Sequence, residues 1–234
     1  MKIPNAISMG MAFLLAAGMA AGVWADSDVA PQELSLEAGA AFPTAFNNFS
    51  DQEKIGLIGG ARYLRMISSK FGWGVQADYY HFSAKTHPLT DQYGAVLNTR
   101  SWDNVATAEI MGRYSILPDA IVVPYFHSGV GVTYFHQMSE GSPAVGAGWP
   151  ITGTAETRQL QDTSSVGFSY SAGFGAETYL TKSLVLGLEA TWRIFGVSQT
   201  DFGTSTIGIP NVSMRLGWRF GHFAADPFTD KPAH

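Results

Sequence analysis

The sequence predicts an all-β protein, an eight-stranded antiparallel up-and-down transmembrane β-barrel, and three observations carry that expectation. Hydrophobicity alternates with a period of two over segments of roughly ten residues, as it does where one strand face meets an apolar phase and the other does not. The links between segments alternate between short and long, which gathers the tight turns at one end. Composition agrees: charged residues make up 14% of the 234, aromatics 13%, and glycine occurs 26 times. That mixture favours strands over helices.

Taken in order, Lys2 precedes an apolar run over residues 7–23, which exits through Val23-Trp24-Ala25 into Asp26-Ser27-Asp28. A basic start, an apolar centre and a small-residue exit are the features of a secretory signal peptide. Residues 1–25 are therefore expected to be removed, leaving 26–220 as the barrel and 221–234 as a flexible tail rich in Pro and Asp. Strands are expected at 33–42, 55–66, 71–83, 105–115, 121–135, 165–180, 184–197 and 209–220. Short links fall at 67–70, 116–120 and 181–183, and long ones at 43–54, 84–104, 136–164 and 198–208. The long links hold Gly141-Ser142-Pro143, Gly146-Ala147-Gly148-Trp149-Pro150, Tyr93 and Trp102. They read as irregular, exposed segments able to carry surface interactions.

One parity of these strands is uncharged apart from Arg65 at the end of the second. It runs from Leu34, Leu36, Ala38, Ala40 and Phe42 in the first segment to Val212, Met214, Leu216, Trp218 and Phe220 in the last. The opposite parity carries Glu37, Arg62, Gln76, Asp78, Glu109, Arg113, Glu177, Glu189, Arg193, Arg215 and Arg219. Periodicity alone does not say which face is inside, but glycines do. Gly39, Gly60, Gly74, Gly129, Gly131, Gly173, Gly175, Gly187 and Gly217 share the charged parity, and glycine belongs on the crowded concave side of a small barrel. The charges are thus expected to form a salt-bridge network that plugs the lumen, with the apolar parity against lipid. Aromatics near strand ends would form two interfacial girdles: Phe42, Tyr79, Tyr134, Phe168 and Trp192 on one side, Tyr63, Trp73, Tyr114 and Phe220 on the other. Arg65 has lipid-facing parity but stands beside the 67–70 turn, where its head group can reach water.

With 14 Lys and Arg against 19 Asp and Glu, the net charge is -5, so no basic surface is offered to nucleic acid. Cysteine is absent, which excludes disulfides and thiolate chemistry. The six histidines, at 81, 87, 127, 136, 222 and 234, show no metal-ligand spacing, so neither a metal nor a cofactor is expected. His127 and Ser128 point to opposite faces of one strand and cannot form a base and nucleophile pair. A hydrolytic reading would need His127 with Ser169 or Ser171, and no catalytic residue is assigned.

The segment Val212-Ser213-Met214-Arg215-Leu216-Gly217-Trp218-Arg219-Phe220, with weaker echoes in Gly59-Gly60-Ala61-Arg62-Tyr63, Gly129-Val130-Gly131 and Gly173-Phe174-Gly175, resembles the small eight-stranded outer-membrane barrels of Gram-negative bacteria, the OmpA-like and OmpX-like families. The resemblance spans residues 33–220. It implies a non-enzymatic, monomeric barrel in outer-membrane lipid, with Val212, Met214, Leu216, Trp218 and Phe220 read by the barrel-assembly machinery. A surface ligand, in adhesion or host-factor binding, would be taken through the long links. Relatives often end on the final Phe, whereas residues 221–234 follow here, too short for a peptidoglycan-binding domain. Two other functions stay open at this point: a lipid-modifying outer-membrane enzyme, and a soluble periplasmic barrel that binds a ligand.

Overall fold

The computed structural model describes residues 31–43, 54–83, 87–90, 96–143, 158–196 and 206–221. The expected leader at 1–25 and the tail beyond Gly221 lie outside them. Among the described residues there are nine strands: β1 (Gln32–Ala41), β2 (Gly56–Met66), β3 (Phe71–Ser83), β4 (His87–Thr90), β5 (Val96–Ser115), β6 (Val122–Pro143), β7 (Arg158–Tyr179), β8 (Leu184–Gly196) and β9 (Thr206–Phe220). Eight of them form a closed antiparallel barrel in the order β3-β2-β1-β9-β8-β7-β6-β5, closed by a β3–β5 ladder from Phe71↔Tyr114 to Ser83↔Trp102. The four-residue β4 pairs with the start of β5 above the barrel. The first and last barrel strands meet in full register, from Gln32↔Phe220 to Ala41↔Asn211, so no sheet edge is left open around the wall.

Short links at residues 67–70, 116–121 and 180–183 share one end. In two of them a hydroxyl sets the turn: Ser68 Oγ accepts from Phe71 N at 3.0 Å, and Thr181 Oγ1 accepts from Leu184 N at 3.0 Å. At the same end Gly221, with φ of 83°, turns the chain off β9 in a conformation that glycine adopts readily.

Four strands run further than the period-two reading places them. The 84–104 link is strand from Val96 onward, and the 136–164 link is strand up to Pro143 and again from Arg158. The ladders continue without a break through Thr99↔Gly141 and Gln137↔Thr163, then shift register between Ser139 and Glu140. These extensions escape an alternation test because their sequences, such as Thr99-Arg100-Ser101 and Ser139-Glu140-Gly141, alternate nothing apolar. Backbone pairing continues through them. The 198–208 link is likewise shortened by strand from Thr206.

The two faces of the wall differ sharply. Outward positions include Leu36, Ile110, Val130, Phe168, Phe174, Leu188, Met214 and Trp218, all exposed. Arg65 is the sole charged residue among the outward strand positions whose burial is described, and it lies beside the short turn. Inward, two glycines allow the wall to close: a Cβ on Gly74 would run into the carbonyl oxygen of Tyr63, and one on Gly131 into that of Ala108. The lumen is not wholly polar, which corrects the expectation of a charge plug alone. Ala41, Ile58, Tyr80, Phe82, Val105, Phe135, Phe195, Ile207 and Ile209 form a buried apolar layer toward the long-link end. Leu64, Met66, Met111, Val123 and Val185 are also buried.

Candidate functional site

Below the apolar layer the lumen is filled by charges stacked in three tiers. At the short-turn end, Glu177 Oε2 accepts from Arg113 Nη1 at 2.8 Å and pairs with Arg215 Nη2 at 2.5 Å. Arg219 lies 3.4 Å from Glu177 and 3.2 Å from Glu33, and Arg215 also pairs with Glu33. Tyr179 receives a hydrogen bond from Arg219, whose guanidinium lies 4.6 Å from that ring centre. The Arg113 guanidinium sits 4.1 Å over the Tyr125 ring, so a cation covers each aromatic face.

The middle tier is built on Glu189. Arg62 donates to both of its carboxylate oxygens at 2.8 Å, a bidentate fork, while Tyr125 Oη donates at 2.8 Å and Thr191 Oγ1 at 3.0 Å. His127 Nε2 lies 3.1 Å from the same carboxylate. Arg62 also donates from Nε to Gln76 Oε1 at 3.0 Å and lies 3.5 Å from Glu37. Gln76 bridges upward, donating to Asp78 Oδ2 at 2.8 Å.

In the upper tier Arg193 lies 2.6 Å from Asp78 and 3.1 Å from Glu109 and hydrogen-bonds Tyr80, the polar edge of the apolar layer. Ser171 Oγ donates to Glu109 Oε2 at 2.6 Å. Arg215, 3.4 Å from Tyr125 Oη, joins the lowest tier to the middle one. Four arginines, at 62, 113, 193 and 215, are among the largest fully buried side chains. A buried guanidinium is tolerable only when its carboxylate partners are equally desolvated and held close, as they are here.

All ten charged residues that the sequence points to, Glu37, Arg62, Asp78, Glu109, Arg113, Glu177, Glu189, Arg193, Arg215 and Arg219, lie on this inner face and join one connected network. Val212, Met214, Leu216 and Trp218 are exposed on the outer face of β9, and Phe220 is half-buried at its end. Sequence reasoning missed Glu33, although it has the same parity as Glu37, and it missed the lumenal Tyr80 and Tyr125. Parity had placed both tyrosines inward, but sorting the inner face by charge and glycine passed over them. The His127 and Ser171 pairing does not form: the histidine faces Glu189 and Thr191, with Thr191 Oγ1 at 3.2 Å, and the serine gives its proton to Glu109. Among the described residues no group of three or more His, Asp or Glu could hold a metal ion.

No family model matches the chain, and no curated protein does. Among solved structures it is similar to Ail, the attachment invasion locus protein of Yersinia pestis, solved with the heparin analogue sucrose octasulfate. Identity is 13% and the TM-score 0.42, over 81% of this chain and 98% of that one. It is also similar to a major outer membrane protein of Thermus thermophilus, with 15% identity and a TM-score of 0.45 over 81% and 99% of the two chains. A third similar structure is OprG of Pseudomonas aeruginosa, with 14% identity and a TM-score of 0.40 over 84% and 99%. The architecture of the chain is that of a closed, eight-stranded antiparallel β-barrel with an apolar exterior and a charge-filled lumen.

Proposed function

We propose that the chain is a non-enzymatic outer-membrane barrel protein that supports the envelope and displays surface segments. One observation carries the reading: the closed wall presents an apolar face all around, charged among the described strand positions only at Arg65 beside a short turn, while its other charges pair with one another inside. A soluble ligand-binding barrel would reverse the two faces. In lipid, closure satisfies every backbone group of the wall. In this reading residues 1–25 direct export and are removed, and the short turns and residues 221–234 lie in the periplasm. Val212, Met214, Leu216, Trp218 and Phe220 are the strand signal for the barrel-assembly machinery, and the barrel acts as a monomer. The lumen is a structural plug: three charged tiers lie beneath a layer rich in apolar side chains, with Asp103 and Gln137 buried beside Phe82. Surface interaction, in adhesion or host-factor binding, falls to the extended β4–β7 region and the long links.

Fractionation combined with heat-modifiability tests this. The chain is expected to sediment with outer membranes and to migrate faster on a gel unboiled than boiled. Recovery in the soluble periplasmic fraction, with no mobility difference, would refute it.

A further inference from the structure

Two adjacent rungs on the outer surface of β3, β5 and β6 differ from the rest of the exterior. Across one rung the register sets Tyr79, Ala106 and Tyr134 side by side, and across the next, toward the long-link end, His81, Asn104 and His136. With a small residue between two tyrosines, the surface dips into a notch of about 60 Å³ lined by Tyr79, Asn104, Ala106, Tyr134 and His136. The polar groups around it are organised. Tyr79 Oη donates to Asn104 Oδ1 at 2.8 Å, and His81 Nδ1 lies 2.8 Å from the same oxygen. The Tyr134 and His136 rings stack with centres 6.4 Å apart and 15° between planes. With Oδ1 engaged twice, the Asn104 amide has its two N–H donors on the other branch.

Toward the middle of the belt, the next rung is Ala77, Ala108 and Val132. Its two alanines put short apolar side chains directly below the notch. Polar donors at the edge of the belt, above short apolar side chains, match the two ends of a lipid molecule. Tyr79 and His81 have turned their protons to Asn104 Oδ1, which leaves the two Asn104 amide N–H groups and the Tyr134 hydroxyl as donors; none of the six residues is a carboxylate, and a phosphate ester offers several acceptor oxygens.

We propose that this notch binds the phosphate of a lipid headgroup in the leaflet at the long-link end, with an acyl chain lying over Ala77 and Ala108. The proposal rests on the membrane-spanning reading above, and its test keeps the two apart. The full chain, refolded in detergent, is mixed with dioleoylphosphatidic acid or with dioleoylglycerol, and retained lipid is counted by native mass spectrometry. Wild type is expected to keep phosphatidic acid and to lose the phosphate-free lipid. Ala106→Leu fills the notch with a side chain that the lipid face accepts, and Asn104→Leu removes the amide. Each should lower retention about tenfold, the loss of roughly one charge-assisted hydrogen bond, while Ala190→Leu on the opposite wall behaves as wild type. Equal retention by Ala106→Leu and wild type would overturn the site. Equal retention of both lipids would overturn the phosphate, and full displacement by inorganic phosphate would overturn the lipid as its source. Failure of the membrane reading would appear separately, as a chain that does not insert into vesicles and shows no heat-modifiability.

Discussion

Truncating Glu189 to alanine removes the acceptor at the centre of the lumen. Its carboxylate receives two hydrogen bonds from Arg62 at 2.8 Å, one from Tyr125 at 2.8 Å and one from Thr191 at 3.0 Å. Without it Arg62, fully buried, keeps Gln76 at 3.0 Å and the more distant Glu37 at 3.5 Å. A buried cation left with so weak a partner costs about 3–5 kcal/mol. At a urea slope of about 2 kcal/mol per molar, the unfolding midpoint should fall by roughly 1.5–2.5 M. The assay is urea titration of the barrel in lipid vesicles, read by the fraction that keeps its unboiled gel mobility. Replacing both partners, Arg62→Met with Glu189→Leu, removes the charge along with its partner and should recover most of that loss. The reasoning is refuted if Glu189→Ala shifts the midpoint by less than about 0.5 M at an unchanged slope, the size expected of an exposed ion pair.

Further outcomes are expected from the same geometry. Leu188→Arg, near the middle of the belt, should cost about 2–4 kcal/mol in vesicle folding titrations, whereas Ile121→Arg in a short turn should cost about 0–1 kcal/mol. Phe220→Ala should lower the yield of protein in the outer membrane while the folded fraction stays barrel-like. Deletion of residues 222–234 should leave that yield unchanged, and the reverse pattern would move the end of the barrel into the tail. In planar bilayers the wild type should show no large, steady conductance. Phe82→Ala combined with Phe195→Ala, which opens the apolar layer, should raise the leak more than Glu189→Ala does.

The barrel was legible because its outward positions, such as Leu188 and Val130, are uncharged on every strand apart from Arg65 beside a turn, the pattern that lipid would demand. Strand ends governed by that demand, as in β2, β3 and β8, fall within a residue or so of their expected places. Where the wall leaves the belt the demand lapses, and the extensions of β5, β6 and β7 were read as links. The charged face of the lumen was legible for a related reason, since glycine and charge both belong on the concave side. The pairing was not. Which arginine meets which acid depends on barrel stagger, so Arg62 reaches Glu189, 127 positions away, across the lumen rather than along a strand. Tyr80, Phe82 and Phe195 could have faced inward or outward by residue type alone. Only their parity, set by neighbours such as Asp78 and Arg193, identifies them as the apolar layer.

The central claim is that the uncharged parity meets lipid while the charged parity is enclosed, and accessibility of single spin labels along β8 tests it most directly. The chain has no native cysteine, so a nitroxide can be placed cleanly at Leu184, Leu186, Leu188, Ala190, Trp192 and Ile194, with Lys182 in the short turn as the aqueous reference. In vesicles, collision with oxygen should rise toward Leu188 and Ala190 and fall at both ends of the strand, while collision with a water-soluble nickel complex should be high at Lys182 alone. Nickel collision at Leu188 as frequent as at Lys182 would contradict the account, because it would put that face in water.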